Sequence, residues 1–244
     1  MGMAESSTQE GAGQTGIIVL AKFDSSRFPG KALEPIAGRP LLGRVLDRMR
    51  KVSNSDLLIV ATSDRLVDDP IANFVTNEDV ALFRGTAEDV AWRCEACCRA
   101  FKLNRFVRIC GDSPFVDPVL TQALIELHME KKVDVATNVF PRTWPAGNSI
   151  EVVSADAMSR LVTMTTDADD REHVTRFFHN NSDLFSIENI SMPSGPVRDI
   201  ELTVDYPVDK EKAEWIISRL SAPLESTTFE EIVTLAREWG QIEQ

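Results

Sequence analysis

Between Ile17 and Thr137, short β-branched runs alternate with longer amphipathic stretches, and that alternation leaves few folds open. Ile17–Ala21, Leu57–Ser63, Val80–Phe83, Phe106–Cys110 and Val133–Thr137 read as strands. Their near-continuous apolar character is that of parallel strands covered on both faces. Helical patterns run from Pro40 to about Lys51, from Thr86 to Phe101 and from Pro118 to Lys131. Strand and helix in turn imply an α/β protein, a mostly parallel twisted sheet with helices on both faces. After Asn138 the pattern loosens. Ser149–Val153, Leu184–Ile190 and Asp199–Val204 read as strands; Ala155–Val162, His173–Asn180, Pro207–Leu220 and Phe229–Trp239 read as helices. Residues 1–16 are mostly Gly, Ser, Thr, Gln and Glu and read as a disordered leader, followed by one domain over 17–244.

The 244 residues can bury roughly 70–75% of their unfolded surface, so no disulfide or metal is needed to hold a core. Of the four cysteines, Cys94, Cys97 and Cys98 share one helix face, a spacing that suits small buried thiols in a reducing, cytoplasmic protein. No apolar run reaches membrane-spanning length. The formal charge is −12, which argues against a nucleic-acid partner. That charge is unevenly spread. Ile17–Lys51 holds eight Lys/Arg and three Asp/Glu, a local +5 within an acidic chain.

This basic segment contains Ala21-Lys22-Phe23-Asp24-Ser25-Ser26-Arg27-Phe28-Pro29-Gly30-Lys31, directly after the first strand. In open α/β sheets ligands bind at the carboxyl ends of the strands. Ser and Gly let backbone N–H groups converge, and Lys22, Arg27 and Lys31 add charge suited to a triphosphate. The spacing is not that of a P-loop, and a solvated turn with incidental basic residues is the alternative. Asp112, in Gly111-Asp112-Ser113-Pro114, follows the fourth strand, and Asp205, in Leu202-Thr203-Val204-Asp205-Tyr206-Pro207, ends a later apolar run. Two strand-end carboxylates in one crevice suit Mg²⁺ on a nucleotide phosphate. Helix capping is the alternative for Asp205, and the favoured reading for Asp117.

Taken together, these segments resemble the cytidylyltransferase family that includes the spore-coat polysaccharide protein SpsF. More distantly they resemble the CMP-Kdo and CMP-sialate synthetases. The resemblance rests on Ala21–Lys31, Val60–Ser63, Phe83–Gly85, Gly111–Pro118, Asn138–Gly147, Arg171–Thr175 and Leu202–Pro207, colinear over residues 17 to about 220. It implies a Rossmann-like nucleotidyltransferase fold, with a smaller acceptor and dimerisation subregion over about 138–200. It implies Mg²⁺-dependent transfer of CMP from CTP to a sugar acid or related acceptor, with release of pyrophosphate, for surface glycan synthesis. The protein would then be a homodimer. Lys22, Arg27, Lys31, Asp112 and Asp205 would be catalytic, the two aspartates as metal ligands. Ala21, Lys22, Ser25, Arg27, Lys31, Ser63, Arg84 and Gly111 would line the nucleotide. Asn138, Trp144, Gly147, Glu151, Arg171 and His173 would face the acceptor.

The chain departs from the family pattern twice. Lys22 stands where the family usually has Arg, which keeps the charge and loses the bidentate fork. Gly147-Asn148-Ser149-Ile150-Glu151 replaces the usual G-L-D-V-E, removing an acidic group at Ser149. Two other functions fit the residues: a nucleotide-sugar-dependent glycosyltransferase, and a nucleotide-binding protein without catalysis. His173 has a structural alternative at a helix start, and Trp144 has one in an interface.

Overall fold

The computed structural model describes residues 13–197 and 199–242. In chain order the elements are β1 (Thr15–Leu20), β2 (Pro35–Ile36), β3 (Arg39–Pro40), α1 (Leu41–Met49), β4 (Leu57–Ser63), α2 (Asp69–Thr76), β5 (Ala81–Gly85), α3 (Val90–Ala100) and β6 (Arg105–Cys110). Then come α4 (Pro118–Lys131), β7 (Val135–Thr137), β8 (Glu151–Ser154), α5 (Ala155–Met164), α6 (Ala168–Glu172), α7 (Arg176–Asn180), β9 (Ile187–Asn189), α8 (Pro207–Ile217) and α9 (Phe229–Ile242).

The main sheet has the order β5-β4-β1-β6-β8-β7-β9. All its neighbours pair in parallel except β8, which runs against both β6 and β7. Alternation within β1 sends Ile17 and Val19 to one face and Ile18 to the other, each wholly buried in a separate apolar layer. Helices α1, α4, α8 and α9 cover the first layer; α3, α5 and α7 cover the second, where Cys94, Cys97 and Cys98 are buried. Burial pushes the Cys94 thiol up to about 11, as a core role requires. Among the described residues no helix is long and apolar enough to cross a membrane.

Several elements differ from the sequence reading. Residues 1–12 of the expected leader lie outside the described residues. Thr15 and Gly16 are not part of a leader, because they pair with Arg105 and Phe106 of β6. Helix α2 was not expected. Pro70 starts it, and Ile71, Ala72 and Val75 form its buried face. The run Asp199–Val204 does not join the sheet. It makes a single bridge, Glu201 to Ala146 of the loop between β7 and β8, and lays Ile200, Leu202 and Val204 into the first apolar layer. The helix expected over His173–Asn180 is shorter, α7 alone, and a separate short helix, α6, precedes it; Asp167 caps α6 by accepting N–H bonds from Asp169 and Asp170.

The reversal at β8 has a local cause. After β7, Asn138 donates its amide to the carbonyl of Asn148 (2.6 Å) and accepts the N–H of Ile150 (2.9 Å). That clamp turns residues 138–150 back so that β8 enters the sheet from the crevice end. Gly147 stands at φ 86°, where a Cβ would lie 2.4 Å from the backbone of Leu202.

Candidate active site

The carboxyl ends of β1, β4 and β6 open into a cavity of about 450 Å³. Of the residues singled out from the sequence, Ala21, Lys22, Ser25, Arg27, Lys31, Ser63, Gly111, Asp112, His173 and Asp205 all line it.

The loop after β1 is held by its own backbone and by one buried acid. The Gly30 N–H donates to the Phe23 carbonyl (2.7 Å) with Gly30 at φ 76°, a left-handed turn suited to glycine. The Phe23 N–H donates to Asp68 (2.7 Å), whose carboxylate is wholly buried and also accepts from the Ser63 hydroxyl. Asp68 therefore ties the basic loop to the end of β4 and is a positioning residue. Asp68→Asn would set an amide N–H against one of these donors. The expected results are a stability loss of about 1–3 kcal/mol and a nucleotide KM raised about tenfold with a smaller change in kcat. A thermal melt and steady-state kinetics read both.

Lys31 is buried, and its ammonium donates to Asp112 Oδ2 (2.8 Å), Asp205 Oδ1 (2.7 Å) and the carbonyl of Val204 (2.9 Å). Arg27 pairs with the other oxygen of Asp205 and lies over the Tyr206 ring at 5.4 Å. Burial alone would lower the Lys31 pKa, but the two carboxylates override it and raise it. For Asp205, burial pulls upward and is outweighed by the hydrogen bonds and charges of Arg27 and Lys31, so its pKa is lowered. All three groups are charged at neutral pH.

The chain brings these residues together by backbone pairing. The Gly111 N–H donates to Leu20 (2.8 Å), placing the end of β6 against β1, and a Cβ on residue 111 would stand 2.9 Å from that Leu20 carbonyl. The Val204 N–H donates to the Asp112 carbonyl (2.9 Å), which fixes Asp205 beside Asp112. Asp205 is free of the capping role considered for it. Asp209 performs that role, accepting the N–H groups of Asp205 and Tyr206 (2.9 Å each). Asp117 is a cap, accepting from Val119 and Leu120.

Asp112 Oδ2, Asp205 Oδ1 and the Val204 carbonyl converge on the Lys31 ammonium, which fills that point; the two neighbouring carboxylates are still hard oxygen donors of the kind a divalent cation takes, through lone pairs that Lys31 does not use. Among the described residues no group of three or more His, Cys, Asp or Glu is placed to hold a metal. Such a cation would therefore complete its shell with substrate phosphates and water, the habit of Mg²⁺.

Several expected site residues lie elsewhere. Arg84 does not line the cavity; it donates to the carbonyls of Ser63 and Arg65 (2.9 Å each) and pairs with Asp69 (2.7 Å), bracing the turn after β4. Arg65, from that turn, lines the cavity instead. Asn138 is wholly buried in the clamp described above, and Gly147 is pressed against Leu202. Trp144 packs against Phe229 and donates its indole N–H to Ile190 (2.9 Å), a core position rather than an acceptor wall. The Arg171 guanidinium is turned to Asp89 (2.9 Å) and the carbonyl of Thr165 (2.9 Å), joining α6 to α3. Glu151 is 1% exposed and sits behind the cavity, paired with Arg108 at 2.5 Å.

Arg108, Arg93 and Glu172 line the cavity and were not singled out from the sequence. Arg108 left a signal: a cation inside an apolar strand, three residues before a glycine, needs a buried partner. Lys22 meets Glu172 at 3.8 Å across the mouth, both side chains more than half exposed.

This geometry has close relatives. The family described as Cytidylyltransferase matches residues 16–239. The spore coat polysaccharide biosynthesis protein SpsF of Bacillus subtilis is 28% identical over 226 residues, covering 90% of this chain and 93% of that protein. An 8-amino-3,8-dideoxy-manno-octulosonate cytidylyltransferase of Shewanella amazonensis is 24% identical, covering 83% of this chain and 74% of its own length. Among solved structures, a cytidylyltransferase from Leptospira borgpetersenii superposes with a TM-score of 0.89 at 23% identity, over 94% of this chain and 96% of that one. A CMP:2-keto-3-deoxy-manno-octonic acid synthetase complexed with CTP gives a TM-score of 0.66 at 16% identity, over 84% and 99%. With a family match over nearly its whole length, the chain belongs to the cytidylyltransferases and is a nucleotidyltransferase.

Proposed function

We propose that the enzyme transfers CMP from CTP to a sugar acid of the octulosonate or nonulosonate kind, releasing pyrophosphate, with Mg²⁺ as cofactor and surface glycan synthesis as the use of the product. The observation that carries this reading is the Lys31–Asp112–Asp205 cluster beside the basic loop at the ends of parallel strands. The names of the SpsF and octulosonate relatives support the acceptor class.

In the reaction an acceptor hydroxyl oxygen bonds to the α-phosphorus, the bond from that phosphorus to the pyrophosphate oxygen breaks, and the hydroxyl proton is released. Negative charge grows on the leaving oxygens. Arg27, Lys31 and Lys22 surround the cavity where that charge develops, and fixed cations there stabilise it without reorganisation. Asp112 and Asp205 would hold Mg²⁺, which when bound neutralises phosphate charge. Ala21, Ser25 and Gly111 let the phosphates approach the backbone closely. On the acceptor side, Glu151 holds the Arg108 guanidinium in place, and Arg108 with His173 faces the acceptor's carboxylate.

Pyrophosphate release with each of the four nucleoside triphosphates, against octulosonic acids, nonulosonic acids and sugar phosphates, tests the reading. Release is expected with CTP and an acidic sugar and is abolished by a chelator. Turnover only with sugar phosphates would reject the acceptor class. CTP binding without release on any acceptor would reject catalysis.

A further inference from the structure

Arg93, in the first turn of α3, is 5% exposed and lines the same cavity. Its Nη1 donates to the Thr86 carbonyl (3.0 Å) and its Nε is closed off without a partner, while among the described residues Nη2 has no partner either, which leaves N–H groups of the two terminal nitrogens for a ligand. A desolvated guanidinium without a counter-charge is costly, so the fold keeps donors aimed at something that is not protein. The side chain lies across Gly85, where a Cβ would come within 3.2 Å of its Cγ, so the group is fixed at the carboxyl ends of β4 and β5.

Position selects the part of the substrate it meets. The sheet order is β5-β4-β1-β6, and Asp112 follows β6. Three strand spacings separate β6 from β5, roughly 14 Å. With the triphosphate over the loop after β1, the β4–β5 end takes the opposite end of the nucleotide. Ala87 and Val90 provide small apolar walls there, suited to the faces of a flat ring.

We propose that Arg93 reads the nucleobase, donating two N–H groups to O2 and N3 of cytosine. This rests on the reading of the chain as a CTP-using enzyme. A guanidinium only donates. Cytosine offers two adjacent acceptors at O2 and N3. Uracil carries a proton on N3, which would leave donor facing donor in a buried place. Selectivity for cytosine over uracil follows from that mismatch.

Calorimetric binding of nucleotides without acceptor tests the assignment. Wild-type protein is expected to bind CTP at least about 100-fold more tightly than UTP. It should bind 3-deaza-CTP, in which C–H replaces N3, about 30-fold more weakly than CTP. Arg93→Gln presents both a donor and an acceptor. It should bring CTP and UTP within about threefold of each other and erase the 3-deaza penalty, with inorganic triphosphate binding unchanged. An Arg93→Gln protein that keeps the wild-type CTP/UTP ratio overturns the assignment. So does wild-type protein that binds 3-deaza-CTP as well as CTP, a result independent of whether the variant folds. Wild-type protein that binds no CTP rejects the functional reading itself, and with it this assignment.

Discussion

Asp205→Asn is expected to lower kcat/KM for pyrophosphate release by about a thousandfold, equivalent to roughly 4 kcal/mol of transition-state stabilisation. Asp112→Asn should match it. Asp205 is the acid on which Lys31 and Arg27 both converge, each on a different oxygen. Replacing one oxygen by an NH₂ group sets a donor against one of these cations and frees it from its place. The change also removes one of the two carboxylates that would hold Mg²⁺. The half-saturating Mg²⁺ concentration should therefore rise in both variants. Because one carboxylate still neutralises Lys31 in each variant, the stability loss should be about 1–3 kcal/mol. Rates within tenfold of wild type in either variant would remove these aspartates from the mechanism.

Lys31→Met should be as damaging to activity and should cost more stability than either aspartate change. The ammonium sits between two carboxylates in a buried position. Deleting one partner of a buried ion pair leaves the remaining charges uncompensated, a loss of about 3 kcal/mol. The pH dependence of the wild-type cluster has a defined sign. Asp205 has a lowered pKa, so its contribution is complete above the ordinary aspartate range and disappears as pH falls through the lowered value. Lys31 has a raised pKa, so its contribution is complete below the ordinary lysine range and disappears as pH rises through the raised value. In Lys31→Met the acid limb should move upward, since two neighbouring carboxylates with only Arg27 left beside them resist joint ionisation. Chemical denaturation from about pH 2 to about pH 12, with and without Mg²⁺, reads both effects, and Mg²⁺ should restore part of the lost stability. An unchanged acid limb would show that the two carboxylates do not depend on Lys31.

The parallel half of the sheet was legible because β1, β4 and β6 end in chemistry: Lys22, Ser25, Arg27 and Lys31, Ser63, and Asp112 stand at or after the end of an apolar run and line the cavity. Glu151 defeats that rule. On the reversed strand β8 the crevice end is the first residue rather than the last, and cross-strand pairing with Arg108 draws its carboxylate away from the cavity. Asn138, Trp144 and Gly147 belong to a motif that reads as acceptor-facing, yet their work is to fold the return loop. A motif marks residues that matter together and does not separate the ones that touch substrate from the ones that shape the site. Arg84 and Arg65 exchanged places for a similar reason. Both follow apolar strands, and only the three-dimensional turn after β4 decides which guanidinium braces it and which faces the cavity. Arg93 lay within a helix pattern whose burial cannot be read from neighbours in sequence.

Lys22 and Glu172 span the mouth of the cavity at 3.8 Å, a contact between exposed groups worth no more than about 1 kcal/mol. The cleft thus behaves as an ion exchanger already loaded with a weakly held carboxylate. An arriving phosphate displaces Glu172 from Lys22 at little cost. Under the proposed reading, the displaced carboxylate belongs to the residue next to His173, so nucleotide binding would leave a negative charge beside a group assigned to the acceptor.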